Sequence, residues 1–194
     1  MKRTASQWGL AAAVALAALL TACTDDRASP PATPTLSAPS PEPASPSSAP
    51  PASAETPEQA KQRALDTYLG MQAAFAKAGR IGDPTNPDLS TYATGAALDR
   101  LTTALKNRKK DGILARGETV HHPKVTTVSP PDAPTKASVR DCMDSSKSSL
   151  YKPNGDAVPQ DKGGLRLALA TLERTGGTWK VTTFAVREPG TCKL

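Results

Sequence analysis

The stretch LRLALATLERTGGTWKVTTFAVREPGTC, residues 165–192, decides the fold. Two runs suited to extended backbone, Leu165–Glu173 and Trp179–Arg187, flank the sequence RTGGT at 174–178. Two strands joined by a glycine-containing turn predict an antiparallel hairpin. Upstream of it, YKPNGDAVPQDKGG (151–164) is a turn-rich loop in which Asn154-Gly155 suits a tight turn. Two more strands are predicted at Glu118–Val128 and Lys136–Met143.

Before Gly112 the period is helical. In TPEQAKQRALDTYLGMQAAFAKAG (56–79), Thr56 stands at a capping position, Pro57 at the first helical position and Glu58 in the first turn. Leu65, Tyr68, Leu69 and Phe75 recur at helical spacing and Gly79 ends the run. A short turn or helix is predicted around Leu89–Tyr92, and a full helix from about Ala96 to Lys109 with Leu98, Leu101 and Leu105 as its apolar stripe. Lys106, Arg108, Lys109 and Lys110 gather near its C-terminus, where cations complement the helix dipole and read as a solvated end. Helices first and an antiparallel sheet second give an α+β class, with the helices on one face of the sheet.

The N-terminus has the layout of an export signal: Lys2 and Arg3, a nearly continuous apolar run from Trp8 to Leu20, then small residues around Cys23. The uncharged run from Thr4 to Thr24 also has the length of a spanning helix, but its core is alanine-rich and Asp25, Asp26 and Arg27 follow Cys23 closely. Leu20-Thr21-Ala22-Cys23 resembles the lipobox of bacterial lipoprotein signal peptides. That resemblance implies a signal peptide over 1–22, removed before Cys23, and lipidation of Cys23 by diacylglycerol and fatty acyl (palmitate-type) chains. It also implies a protein held on the extracytoplasmic face of the cell membrane. A plain secretory signal and a retained helix are the alternatives. Each buried methylene adds roughly 0.8 kcal/mol, so several chains hold a soluble domain on a bilayer.

Residues 23–57 are expected to form an acylated cysteine followed by a disordered tether. Ala28 to Pro57 holds ten prolines and two charges, Glu42 and Glu55, with no hydrophobic periodicity, so it cannot bury enough surface to offset its ordering entropy. Repeated Ser-Pro and Ala-Pro steps favour a semi-rigid, polyproline-like spacer. The remaining residues, 58–194, amount to one domain.

The formal net charge is +6. From Glu58 onward there are 21 basic and 14 acidic residues, a balance of +7, which favours loose attraction to anionic lipid or wall polymer. The charges are scattered and the chain carries an export signal, so nucleic acid is not an expected partner. In an oxidising compartment disulfides persist. Cys142 at a strand end and Cys192 beyond the last strand are expected to pair, closing a 50-residue loop worth roughly 2–4 kcal/mol. A reactive thiol lacks a paired base, and two cysteines without organised histidines make a poor zinc site, so no metal is expected. No cofactor-binding motif is present either.

The order of elements resembles the NTF2-like (SnoaL-like) superfamily, and in particular actinobacterial lipoproteins that carry such a domain after a lipobox and a Ser/Pro-rich tether. The matching parts are the first helix with Tyr68 and Phe75, YATGAALDRLTTAL (92–105), ASVRDCMDSS (137–146) and the closing stretch 165–192. The resemblance implies N-terminal helices packed on a curved antiparallel sheet, in a conical fold with a cavity between them. Tyr68, Phe75, Tyr92, Val139, Asp141, Trp179 and Phe184 are the expected lining.

Some members of the superfamily are acid–base enzymes and many others only bind, and no active site carries over residue by residue. Asp141 shares strand parity with Ala137 and Val139, so it is expected to point into the cavity as a buried acid or base, against a solvated or hydrogen-bonded structural aspartate near the cavity mouth. His121 and His122, adjacent on a predicted strand, point to opposite faces, so at most one enters. His122 is the candidate base, against an ordinary surface histidine before Pro123. The sequence therefore favours a tethered, non-catalytic module for a small hydrophobic ligand or an envelope protein. The alternatives are an enzyme acting on a small apolar substrate and a structural domain whose cavity is filled.

Overall fold

The computed structural model describes residues 55–156, 158 and 163–194. Cys23, the signal peptide and most of the expected tether lie outside the described residues. The element order is α1 (Pro57–Ile81), α2 (Asp88–Tyr92), α3 (Gly95–Lys110), β1 (Leu114–Gly117), β2 (Pro123–Ser129), β3 (Lys136–Asp144), β4 (Ser148–Tyr151), β5 (Leu165–Thr175) and β6 (Thr178–Pro189). The α+β class expected from the sequence is the class observed. Among the described residues no helix is long and apolar enough to cross a membrane.

Helix α1 starts where the capping chemistry places it. Thr56 accepts from the Gln59 main-chain N–H, and the Gln59 side chain accepts from Thr56 N–H, a reciprocal capping box in front of Pro57. The helix runs past the expected Gly79 and stops at Gly82, whose φ of 69° is the left-handed conformation glycine adopts without strain. Gly70 serves a different purpose. The Tyr92 ring of α2 lies against it, where any Cβ would overlap the ring, so α2 seats closely on α1.

The four-stranded sheet has the order β2-β3-β5-β6, antiparallel throughout. The β5–β6 pair is the hairpin read from 165–192, with Thr175 opposite Thr178. A second, two-stranded sheet pairs β1 with β4; neither of these four-residue strands is among those expected from the sequence. The expected strand 118–128 is shorter, beginning at Pro123, and only Val120 upstream of it makes a bridge, to Asp144.

Helices α1, α2 and α3 cover one face of the four-stranded sheet. The buried interior between them includes Tyr68, Met71, Leu89, Leu101, Leu172 and Val181. Alternation on β3 sends Ala137, Val139 and Asp141 inward and Ser138 and Arg140 outward. Cys142 and Cys192 form the expected disulfide, with Cα atoms 5.8 Å apart.

Contacts with the interior include a residue before 58. Glu55 is buried at the start of α1 although the composition places it in the tether. Its Oε2 accepts a hydrogen bond from Trp179 Nε1 at 3.2 Å and pairs with Arg174 Nη1 at 3.2 Å. Arg63 Nε approaches Oε1 at 3.1 Å.

Candidate functional site

Asp141 is the polar centre of the interior and has no exposed surface. Burying a carboxylate is costly unless its lone pairs are engaged, and here three groups engage them. The Tyr68 hydroxyl donates to Oδ2 at 2.9 Å, the His122 main-chain N–H donates to Oδ1 at 2.7 Å, and His121 Nδ1 lies 2.7 Å from Oδ2. Gln72, one turn beyond Tyr68 on α1, donates to the tyrosine oxygen at 2.8 Å. An ionised carboxylate only accepts, so the His121 contact is a hydrogen bond when Nδ1 carries a proton.

Each participant is placed by its element. Strand parity turns Asp141 inward beside Val139. Tyr68 projects from the middle of α1 onto β3. The Val120–Asp144 bridge, with main-chain bonds of 2.9 and 2.8 Å, brings the 120–122 segment over the carboxylate. Tyr68 has His121 edge-on at 6.3 Å between ring centroids and Phe184 tilted against it at 6.3 Å. Burial, the adjacent Asp141 charge and the hydrogen bond to it all hold the Tyr68 hydroxyl well above the usual tyrosine pKa range, so it remains a donor.

The inward direction expected for Asp141 is the one observed. The histidine expectation changes. His122 is exposed and contributes its main chain, while the ring at the carboxylate belongs to His121, whose side chain keeps 18% exposure. Strict alternation fails here because 121–122 lie outside the regular strand, so both residues reach one carboxylate.

Of the residues expected around a cavity, Val139 and Phe184 also border an open groove on the sheet, and all seven pack in or against the interior. Tyr68, Val139, Asp141 and Trp179 are buried, and Phe75, Tyr92 and Phe184 lie against the core. Phe75 carries the Arg108 guanidinium 5.3 Å above its ring, and burial lowers the pKa of that guanidinium. Trp179 turns its N–H to Glu55.

Open concavity lies outside the space between helices and sheet. A groove of about 440 Å³ crosses the outer face of the four-stranded sheet, lined by Thr126, Ser138, Arg140, Leu169, Thr171 and Thr183 among others. A second groove, of about 450 Å³, lies where the end of α1 meets Ile113, Leu114 and Pro153, with Lys109, Lys152 and Asp111 around it. Among the described residues no group of three metal-type side chains converges.

No family model matches the sequence, and no curated protein sequence matches it. Solved structures are similar in fold. The intermembrane-space region of the chloroplast protein ARC6 aligns with a TM-score of 0.49 and 16% identity, over 66% of this chain and 96% of that one. A Streptomyces avermitilis protein of the NTF2-like family, named as a dehydratase, aligns with a TM-score of 0.44 and 14% identity, over 68% and 99%. An NTF2-like protein of unknown function from Pseudomonas putida aligns with a TM-score of 0.39 and 15% identity, over 69% and 89%.

Proposed function

We propose that this chain is an exported lipoprotein, held by acylated Cys23 at the extracytoplasmic face of the cell membrane. In this reading its NTF2-like domain binds a small ligand or an envelope protein without transforming it. The lipobox-like Leu20–Cys23 supports the anchor, and the Cys142–Cys192 bond suits an oxidising compartment. The observation that carries the non-catalytic reading is Asp141. A general acid or base must come within hydrogen-bond reach of a substrate proton, and this carboxylate is enclosed with its oxygens committed to Tyr68, His121 and His122.

One observation favours a second reading. His121 is oriented by a buried carboxylate and keeps part of its ring exposed, an arrangement that serves acid–base chemistry when a substrate reaches Nε2.

The test is mass spectrometry of the protein extracted from its own membranes in non-ionic detergent, under conditions that preserve complexes. The expected result is a chain starting at diacylated Cys23, with a non-covalent adduct of the same mass in wild type and His121→Gln. An intact Met1 or an unmodified Cys23 overturns the anchor. An adduct that differs in mass between wild type and His121→Gln, as substrate differs from product, transfers the site to the enzymatic reading.

A further inference from the structure

The outer face of the four-stranded sheet carries a cation arrangement that the fold does not use. Cross-strand pairing sets Lys124 directly opposite Arg140, Arg140 beside Leu169, and Leu169 beside Ala185, one row across all four strands. Like charges directly opposite on one face of an antiparallel pair destabilise it. Lys124 and Arg140 are both exposed, and neither has a carboxylate partner among the described residues. The neighbouring row is hydroxylic, with Ser138 beside Thr171 and Thr171 beside Thr183. Leu169 is 37% exposed in the middle of the face.

Arg140, Leu169, Ala185 and the hydroxyl row line the 440 Å³ groove, a volume within the size range of small-molecule sites, and Lys124 stands beside it on β2, opposite Arg140. Arg140 offers a planar fork of donors suited to a carboxylate or phosphate, the hydroxyls donate to its remaining oxygens, and Leu169 with Ala185 provides apolar floor. The second groove lacks this imbalance, because Asp111 stands among its lysines. A second copy of the chain laid on the face would bring its own Lys124 and Arg140, adding cations where an anion is needed.

We propose that this groove binds an amphipathic anion, a molecule with one phosphate or carboxylate head on a small apolar body. The head lies between Arg140 and Lys124 and the body lies over Leu169. The inference rests on the binding reading above and names its site and ligand class.

The probe is 1-naphthyl phosphate, titrated into the detergent-solubilised full chain and followed by naphthyl fluorescence. Inorganic phosphate (a head without a body) and 1-naphthol (a body without a head) serve as controls. The expected result is saturable binding of the ester, at least tenfold tighter than either control. Arg140→Gln weakens it tenfold or more, Lys124→Gln weakens it severalfold, and Leu169→Ser weakens the ester while leaving inorganic phosphate unchanged. Both cations are exposed, so the variants fold, and an unchanged melting temperature checks this. Equal affinity for 1-naphthol, or wild-type affinity in Arg140→Gln, overturns the proposal. An adduct retained on native protein that ignores the ester overturns the ligand class alone and leaves the binding reading standing.

Discussion

Among the described residues two carboxylates are buried, and they are met by opposite kinds of partner. Glu55 is met by two guanidinium groups and an indole N–H. Asp141 is met by a phenol, an imidazole and a main-chain N–H. The first arrangement sits at the edge, where Arg63 is 58% exposed and Arg174 28% exposed, so solvent screens part of the attraction. The second is enclosed, and its donors are short, directional and held by α1 and the 120–122 segment. An edge carboxylate can rely on mobile charges, whereas a central one needs fixed hydrogen bonds, because an unpaired polar group there has no water to turn to.

The largest expected effect comes from the centre. Asp141→Ala strands the Tyr68 hydroxyl, the His121 ring and the His122 N–H together, and is expected to cost about 3 kcal/mol in a denaturant titration. A loss below about 1 kcal/mol would break the contrast. Glu55→Ala is expected to cost about 2 kcal/mol by the same measurement, through the buried Trp179 N–H and the half-buried Arg174. Glu55→Gln keeps an acceptor for the indole and should recover about half of that.

Tyr68→Phe is expected to cost about 1 kcal/mol near neutral pH and to change the alkaline limb. The native hydroxyl titrates above its unfolded value of about 10. Its contribution is therefore complete below that pH and lost as pH rises above it. Stability measured from pH 8 to 11 should fall less steeply in the variant than in wild type.

Much of this was legible in the residues. The hairpin followed from RTGGT between two extended runs, α1 from Thr56-Pro57-Glu58, and the inward turn of Asp141 from its parity with Ala137 and Val139. Glu55 was not legible, because a lone acid in an Ala- and Pro-rich run looks like tether, and its partners Arg174 and Trp179 lie more than a hundred residues away. The strands β1 and β4 are too short to show alternation, and they exist through each other. Alternation singles out one histidine of the pair only in a continuous pleat, and the 120–122 segment makes one bridge rather than a ladder, so the role of His121 is hidden. What the sequence hides in each case is pairing at a distance.

Glu55 also determines how the domain takes a load. A pull along the chain from its N-terminal side arrives at a residue fastened sideways to Arg174 on β5 and Trp179 on β6. Tension therefore passes into the closing hairpin before it can unwind the first turn of α1. Two side-chain contacts must shear together before the helix begins to peel, so Glu55 acts as a strain relief where the chain enters the fold.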